Sequence, residues 1–123
     1  MMWEYQIRVL RVIDGDTIDA SVDLGFHTHR NIRIRLYGIN TPETRTRDAR
    51  EKRKGLIAKG RLWDLLSEDV DKVIVKSHGV GKFGRCLGQL FVVDNKGHKH
   101  DVSATLIREG HGVEYFGGKR KKA

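Results

Sequence analysis

The chain has 123 residues, enough for one domain with a real core and too few for two. Its formal charge of +8 and sequence pI near 9.9 call for an anionic partner, nucleic acid before a membrane surface. A lone cysteine, Cys86, excludes an intramolecular disulfide, and no window approaches a membrane span.

The charge is localised. Thr44–Arg61 holds eight Lys/Arg against two Asp/Glu and Lys119–Lys122 adds four more, leaving −2 for everything else. A solvated helix face with a basic tail is the plain alternative to a binding surface. The opening MMWEYQIRVL lacks the apolar stretch of a signal peptide. A cytoplasmic, monomeric protein off the membrane is expected, secretion requiring a leader already removed.

Glu4–Ile13 interleaves Tyr5, Ile7 and Val9 with charge and predicts a strand. Asp14-Gly15-Asp16 is a turn, and Thr17–Leu24 alternates Ile18, Ala20 and Val22 against Asp19, Ser21 and Asp23 as a second strand. After a polar loop, Asn31–Glu43 reads NIRIRLYGINTPE. Ile32, Ile34 and Leu36 fall on one side, Arg33, Arg35 and Tyr37 on the other, as in a half-buried strand with a cationic outer face. Gly38 breaks the pattern, and Pro42, the only proline, stiffens the turn that carries Glu43.

From about Asp48 to Leu66 the period turns helical, with Leu62, Leu65 and Leu66 on a core face extended back by Ile57 and Ala58. Gly55 and Gly60 weigh against this helix, each costing about 1 kcal/mol relative to Ala. Val70–Lys76 and Arg85–Val93 are strands four and five, with Gly79–Gly84 a loop between them and Cys86 a small core residue. Asp94–Gly97 makes a tight hairpin turn, and Asp101 caps a short helix, Val102–Glu109, ended by Gly110. The expected fold is therefore mainly β (α+β): a five-stranded OB-type barrel with one long inserted helix and a short C-terminal helix. Residues 1–116 form the domain and 117–123 a flexible basic tail.

Asp14 and Asp16 present two carboxylates on one face, which repel unless a cation sits beside them; a plain turn is the competing reading. Asn40 and the Thr41 carbonyl add oxygen donors, and an oxygen-only set suits Ca²⁺, Mg²⁺ or another hard divalent ion. Arg35 and Arg85 supply a phosphate clamp, and the glycines around Lys82 and Phe83 let the loop approach a ligand closely. Glu43 is the candidate general base. His98 and His100 share a strand face, but flanked by Lys99 and Asp101 they read as an exposed edge.

The motifs RVIDGDT, RLYGINTPE and KFGR, in this order, resemble the staphylococcal nuclease (thermonuclease) family. The resemblance covers roughly Val9 to Phe116 and implies a five-stranded OB barrel and a Ca²⁺-dependent nuclease. It implies cutting of DNA and RNA to leave 3′-phosphate ends; low sequence specificity is expected because phosphate-backbone binding carries little base information. Carried over by motif, Asp16 and the Thr41 carbonyl are metal ligands and Asp14 is an acidic residue near the metal. Glu43, Arg35 and Arg85 are catalytic, and Lys82 lies near a terminal phosphate.

Three departures stand out. Asn40 occupies a metal-ligand aspartate position and should weaken the cation. Phe83 replaces a tyrosine and loses a phosphate-bonding hydroxyl. The sequence ends soon after Tyr115, where the best-known members have a long helix. Tyr115 or Phe116 is placed to stack on a base, plain packing at the barrel mouth being the alternative. The rival to a nuclease is a non-catalytic OB-fold nucleic-acid-binding module, kept open by Asn40.

Overall fold

The computed structural model describes residues 3–80 and 85–117. Lys82, Phe83 and the basic run Lys119–Lys122 lie outside the described residues. The elements run β1 (Glu4–Asp14), β2 (Thr17–Asp23), β3 (His29–Leu36), β4 (Gly38–Asn40) and α1 (Ala49–Ser67). Then come β5 (Val70–Val80), β6 (Cys86–Asp94), β7 (Lys99–Asp101), α2 (Val102–Arg108) and β8 (Val113–Tyr115).

The order β3-β2-β1-β5-β6 is antiparallel throughout, and a parallel pairing of β3 with β6 closes it into a five-stranded barrel. The expected OB-type architecture with two helices is thus the observed one. β1 bends to make the closure. Ile7 and Val12 both point inward although they are five positions apart, an odd offset that an ideal strand would send to opposite faces. A register shift between Val9 and Arg11 absorbs the extra residue and turns Leu10 outward.

The core is filled by Ile18, Ile34, Leu36, Ile39, Leu62, Leu90 and Leu106, each at most 1% exposed. Burying each contributes about 1.5–3 kcal/mol. Helix α1 lies against β1 and β5. Asp48 caps it, accepting from the amides of Arg50 and Glu51. Its buried line is Gly55, Ala58, Leu62 and Leu66. Ile57, expected on that face, is instead 55% exposed, because one residue from Ala58 is 100° of helix rotation. Asp101 caps α2 through the Ala104 amide, as its position ahead of an apolar run predicts.

Two short elements carry no periodicity that would announce them. β4 and β8 pair as a separate ribbon, Gly38 opposite Tyr115 and Asn40 opposite Val113. β5 also runs beyond Lys76 to Val80, with a register irregularity that takes up Gly79 at φ +100°.

Candidate active site

Asp14, Asp16, Thr17, Arg35, Asn40, Thr41, Pro42, Glu43, Arg85 and Tyr115 line a single cavity of about 200 Å³. Every expected catalytic and metal-site residue inside the described stretches is in that lining, and of the two stacking candidates Tyr115 is in it and Phe116 is not. Four separate pieces of chain converge here, and each is brought by a local cause.

The first piece is the β1–β2 turn. A Cβ at Gly15 would stand 2.8 Å from Ala58 Cβ and 2.9 Å from Thr41 Oγ1, so only glycine lets this turn nest between α1 and Thr41. The Asp16 carboxylate is buried and held in place. Thr17 Oγ1 donates to Oδ1 at 3.0 Å, the Thr41 amide donates to Oδ2 at 3.0 Å, and Arg35 Nη2 lies 3.5 Å away. Asp14 accepts a hydrogen bond from Thr44 Oγ1.

The second and third pieces are strands β3 and β6. Their parallel register sets Ile34 beside Cys86 and Arg35 beside Leu87. By strand alternation, Arg85 therefore falls on the face that carries Arg35. Arg35 has a structural task as well: Nη1 donates to the Leu36 and Ile39 carbonyls at 2.8 and 2.7 Å, tying the β3–β4 corner. The expected cationic face is split by this. Arg33 is exposed and bonded to Asp19 at 2.8 Å, whereas the Arg35 side chain is 13% exposed. The Arg33 hydrogen bond holds the Asp19 carboxyl below its usual range.

The fourth piece is Asn40–Thr44. Asn40 and Thr41 are buried, and Glu43 is exposed at the cavity. The turn that carries Glu43 rests on α1. A Cβ at Gly55 would meet the Glu43 carbonyl oxygen at 2.6 Å and the Pro42 carbonyl oxygen at 2.8 Å. Gly55, which weakens the helix by propensity, is there to admit the backbone of the Glu43 turn. Gly60 faces open space.

Tyr115 reaches the cavity because β8 pairs with β4; Phe116, one residue on, lines a different cleft. Thr17, Thr44, Gly15, Gly55 and Ala58 were not legible as site-supporting residues, since each acts through a partner distant in sequence. Arg61 is engaged elsewhere, in a two-bond ion pair with Glu109 at 2.6 and 2.9 Å that ties α1 to α2. That pairing raises Arg61 and lowers Glu109 in pKa.

Among the described residues no three His, Cys, Asp or Glu side chains converge as a metal cluster. The cavity lining has no imidazole or thiolate. Its carboxylate and amide oxygens match a hard divalent ion in donor chemistry, and Asp14 and Asp16 retain acceptor capacity beyond the bonds they make. His98 and His100, at the exposed β7 edge, both approach Asp94, at 3.6 and 2.9 Å. No described helix is long and apolar enough to cross a membrane.

The profile described as "Staphylococcal nuclease homologue" matches residues 33–123. Endonuclease YhcR of Bacillus subtilis (strain 168) is 35% identical over 121 residues, covering 92% of this chain and 9% of that protein. Protein ParB of Escherichia coli is 28% identical over 119 residues, covering 91% of this chain and 58% of the relative. Micrococcal nuclease of Shigella flexneri is 28% identical over 116 residues, covering 91% of this chain and 59% of the relative. The chain thus spans less than two thirds of these relatives' lengths. With well over half of its residues inside the family profile, a closed barrel, and the motif residues gathered at one cavity, this chain belongs to the staphylococcal nuclease homologue family.

Proposed function

We propose that the chain is a Ca²⁺-dependent nuclease, hydrolysing DNA and RNA with low sequence specificity and leaving 3′-phosphate ends. One observation carries this reading: Asp14, Asp16, Arg35, Asn40, Thr41, Glu43, Arg85 and Tyr115 line one small cavity. Nuclease activity in the family supports it, YhcR and the Shigella protein being named as nucleases.

Asp16, Asn40 and the Thr41 carbonyl, with Asp14 beside them, would hold the cation. When bound, Ca²⁺ supplies positive charge that polarises a phosphodiester. The protein's own groups do the rest. Glu43 accepts a proton from a water aimed at phosphorus. Arg35 and Arg85 face the charge that grows on the phosphoryl oxygens, where fixed donors act most strongly. The water oxygen bonds to phosphorus as the P–O5′ bond breaks, and the 5′ oxygen departs with a proton from solvent. Tyr115 contacts the nucleotide, a role that the motif resemblance extends to Lys82 and Phe83. Residues 1–116 act as the catalytic domain in a monomer, and the basic stretch at 117–123 attracts the strand at long range.

The weak donor set favours a second reading, a nucleic-acid-binding module without catalysis. Asn40 removes one negative charge, and no carboxylate cluster stands in its place among the described residues. Incubating denatured DNA with the protein, with Ca²⁺ or with chelator, separates the two. Calcium-dependent digestion abolished in Glu43→Ala is the result expected; binding with no digestion under any divalent ion would leave the module.

A further inference from the structure

A second cleft of about 350 Å³ lies across the β4–β8 ribbon from the candidate active site. β8 alternates, so Tyr115 faces the first cavity while Glu114 and Phe116 face the second. The two cavities share the Tyr115–Phe116 ridge. On the paired strand Asn40 lines the first cavity and Gly38 the second, so the two adjoin along one ribbon.

The second cleft is built like a base-binding pocket. Phe116 is 66% exposed, unusual for phenylalanine, and its ring lies over Gly38, where a Cβ would meet Cε1 at 3.0 Å. Beneath it, Tyr37 stacks on His78 at 3.9 Å and meets the Phe116 edge at 5.4 Å, so the platform is braced. The cleft floor is internally satisfied: Gln89 donates to Asp101, and Ser103 donates to the Tyr37 carbonyl. Two charged groups remain at the rim, Glu114 and Arg108, both exposed.

We propose that this cleft is a nucleobase subsite for the nucleotide next to the scissile phosphate, with the base stacked on Phe116. Glu114, an acceptor-only group, selects guanine, whose ring N–H and amino group present two donors side by side to a carboxylate. Arg108 meets the adjoining phosphate. This rests on the nuclease reading for its position along the strand, but binding can be measured without catalysis.

The test uses the full chain, Phe116→Ala and Glu114→Gln, with folding of each checked by thermal denaturation. On denatured DNA of mixed sequence with Ca²⁺, cut-site mapping should find guanine enriched at one flanking position in the unmodified protein. Glu114→Gln should flatten that enrichment, lowering the cutting frequency at guanine-flanked sites relative to the others. With chelator present, Phe116→Ala should weaken binding to short guanine-containing oligonucleotides by about fivefold or more, as loss of one stacking contact predicts. Unchanged cut frequencies and unchanged affinity in both variants would overturn the subsite while leaving the nuclease intact. If the unmodified protein cuts nothing under any divalent ion, the nuclease reading fails instead. The chelator arm then decides alone: the Phe116→Ala loss keeps the subsite, equal binding removes it.

Discussion

Replacing Gly55 by alanine separates local propensity from tertiary packing in one experiment. Propensity alone says that Gly55→Ala stabilises α1 by about 1 kcal/mol. The packing says otherwise. The new methyl would stand 2.6 Å from the Glu43 carbonyl oxygen and 2.8 Å from both the Glu43 carbonyl carbon and the Pro42 oxygen, all backbone atoms. Ordinary contact begins at 3.4 Å, so the Glu43 turn or the helix must give by about 0.8 Å. Overpacking of this kind costs about 1–3 kcal/mol, which the helix gain only partly offsets. Glu43 moves with its backbone, and a shift approaching 1 Å at a reacting group reduces turnover by about 100-fold. Gly60→Ala is the internal control: nothing lies within 4 Å, so it should stabilise by about 0.5–1 kcal/mol and leave turnover alone. Urea denaturation followed by circular dichroism reads stability, and initial rates on denatured DNA at saturating Ca²⁺ read chemistry. If Gly55→Ala is as stabilised as Gly60→Ala and fully active, helix α1 does not position Glu43.

Three further outcomes are expected. Arg35→Ala should lose about 3–5 kcal/mol of stability, since it strands a largely buried Asp16 carboxylate and the Leu36 and Ile39 carbonyls; a denaturation midpoint like the unmodified protein's would refute that coupling. Arg85→Ala should instead lower kcat by about 100- to 1,000-fold, more than its stability change explains. Asn40→Asp should reduce the Ca²⁺ concentration for half-maximal activity, and an identical titration would mean that Asn40 does not touch the ion. The His100 hydrogen bond, helped by the amides of His98 and Lys96, holds the Asp94 carboxyl at about 2, below its ordinary 3.8. A depressed carboxyl contributes stability that is present above about pH 4 and is lost as pH falls through about 2. Asp94→Asn should therefore flatten the acid limb of the Tm–pH curve in that window; an unaltered slope would show that the contact contributes nothing.

Strands β1 to β3, the β6–β7 hairpin and both helix starts could be read directly, because their signals are short-range. Alternation from Ile32 to Leu36, the cap residues Asp48 and Asp101, and glycine at position 97 with φ +85° all act within a few residues of themselves. A helical period alone does not say which of two adjacent apolar residues faces the barrel, and here Ala58 does and Ile57 does not. The β4–β8 ribbon leaves no sequence signal, because three-residue strands have no period and each exists only by pairing with the other.

The residue chemistry of the site was legible in the chain: carboxylates at 14 and 16, an amide at 40, a glutamate after proline, arginines at 35 and 85. Their meeting was not. It depends on parallel closure of β3 against β6, on Gly15 and Gly55 admitting neighbouring groups to distances where no Cβ fits, and on β4 capturing β8. Side-chain identity sets what a group can donate, accept or ionise. Proximity between groups far apart in sequence is decided by which surfaces close into a common core, and that is a property of the whole barrel.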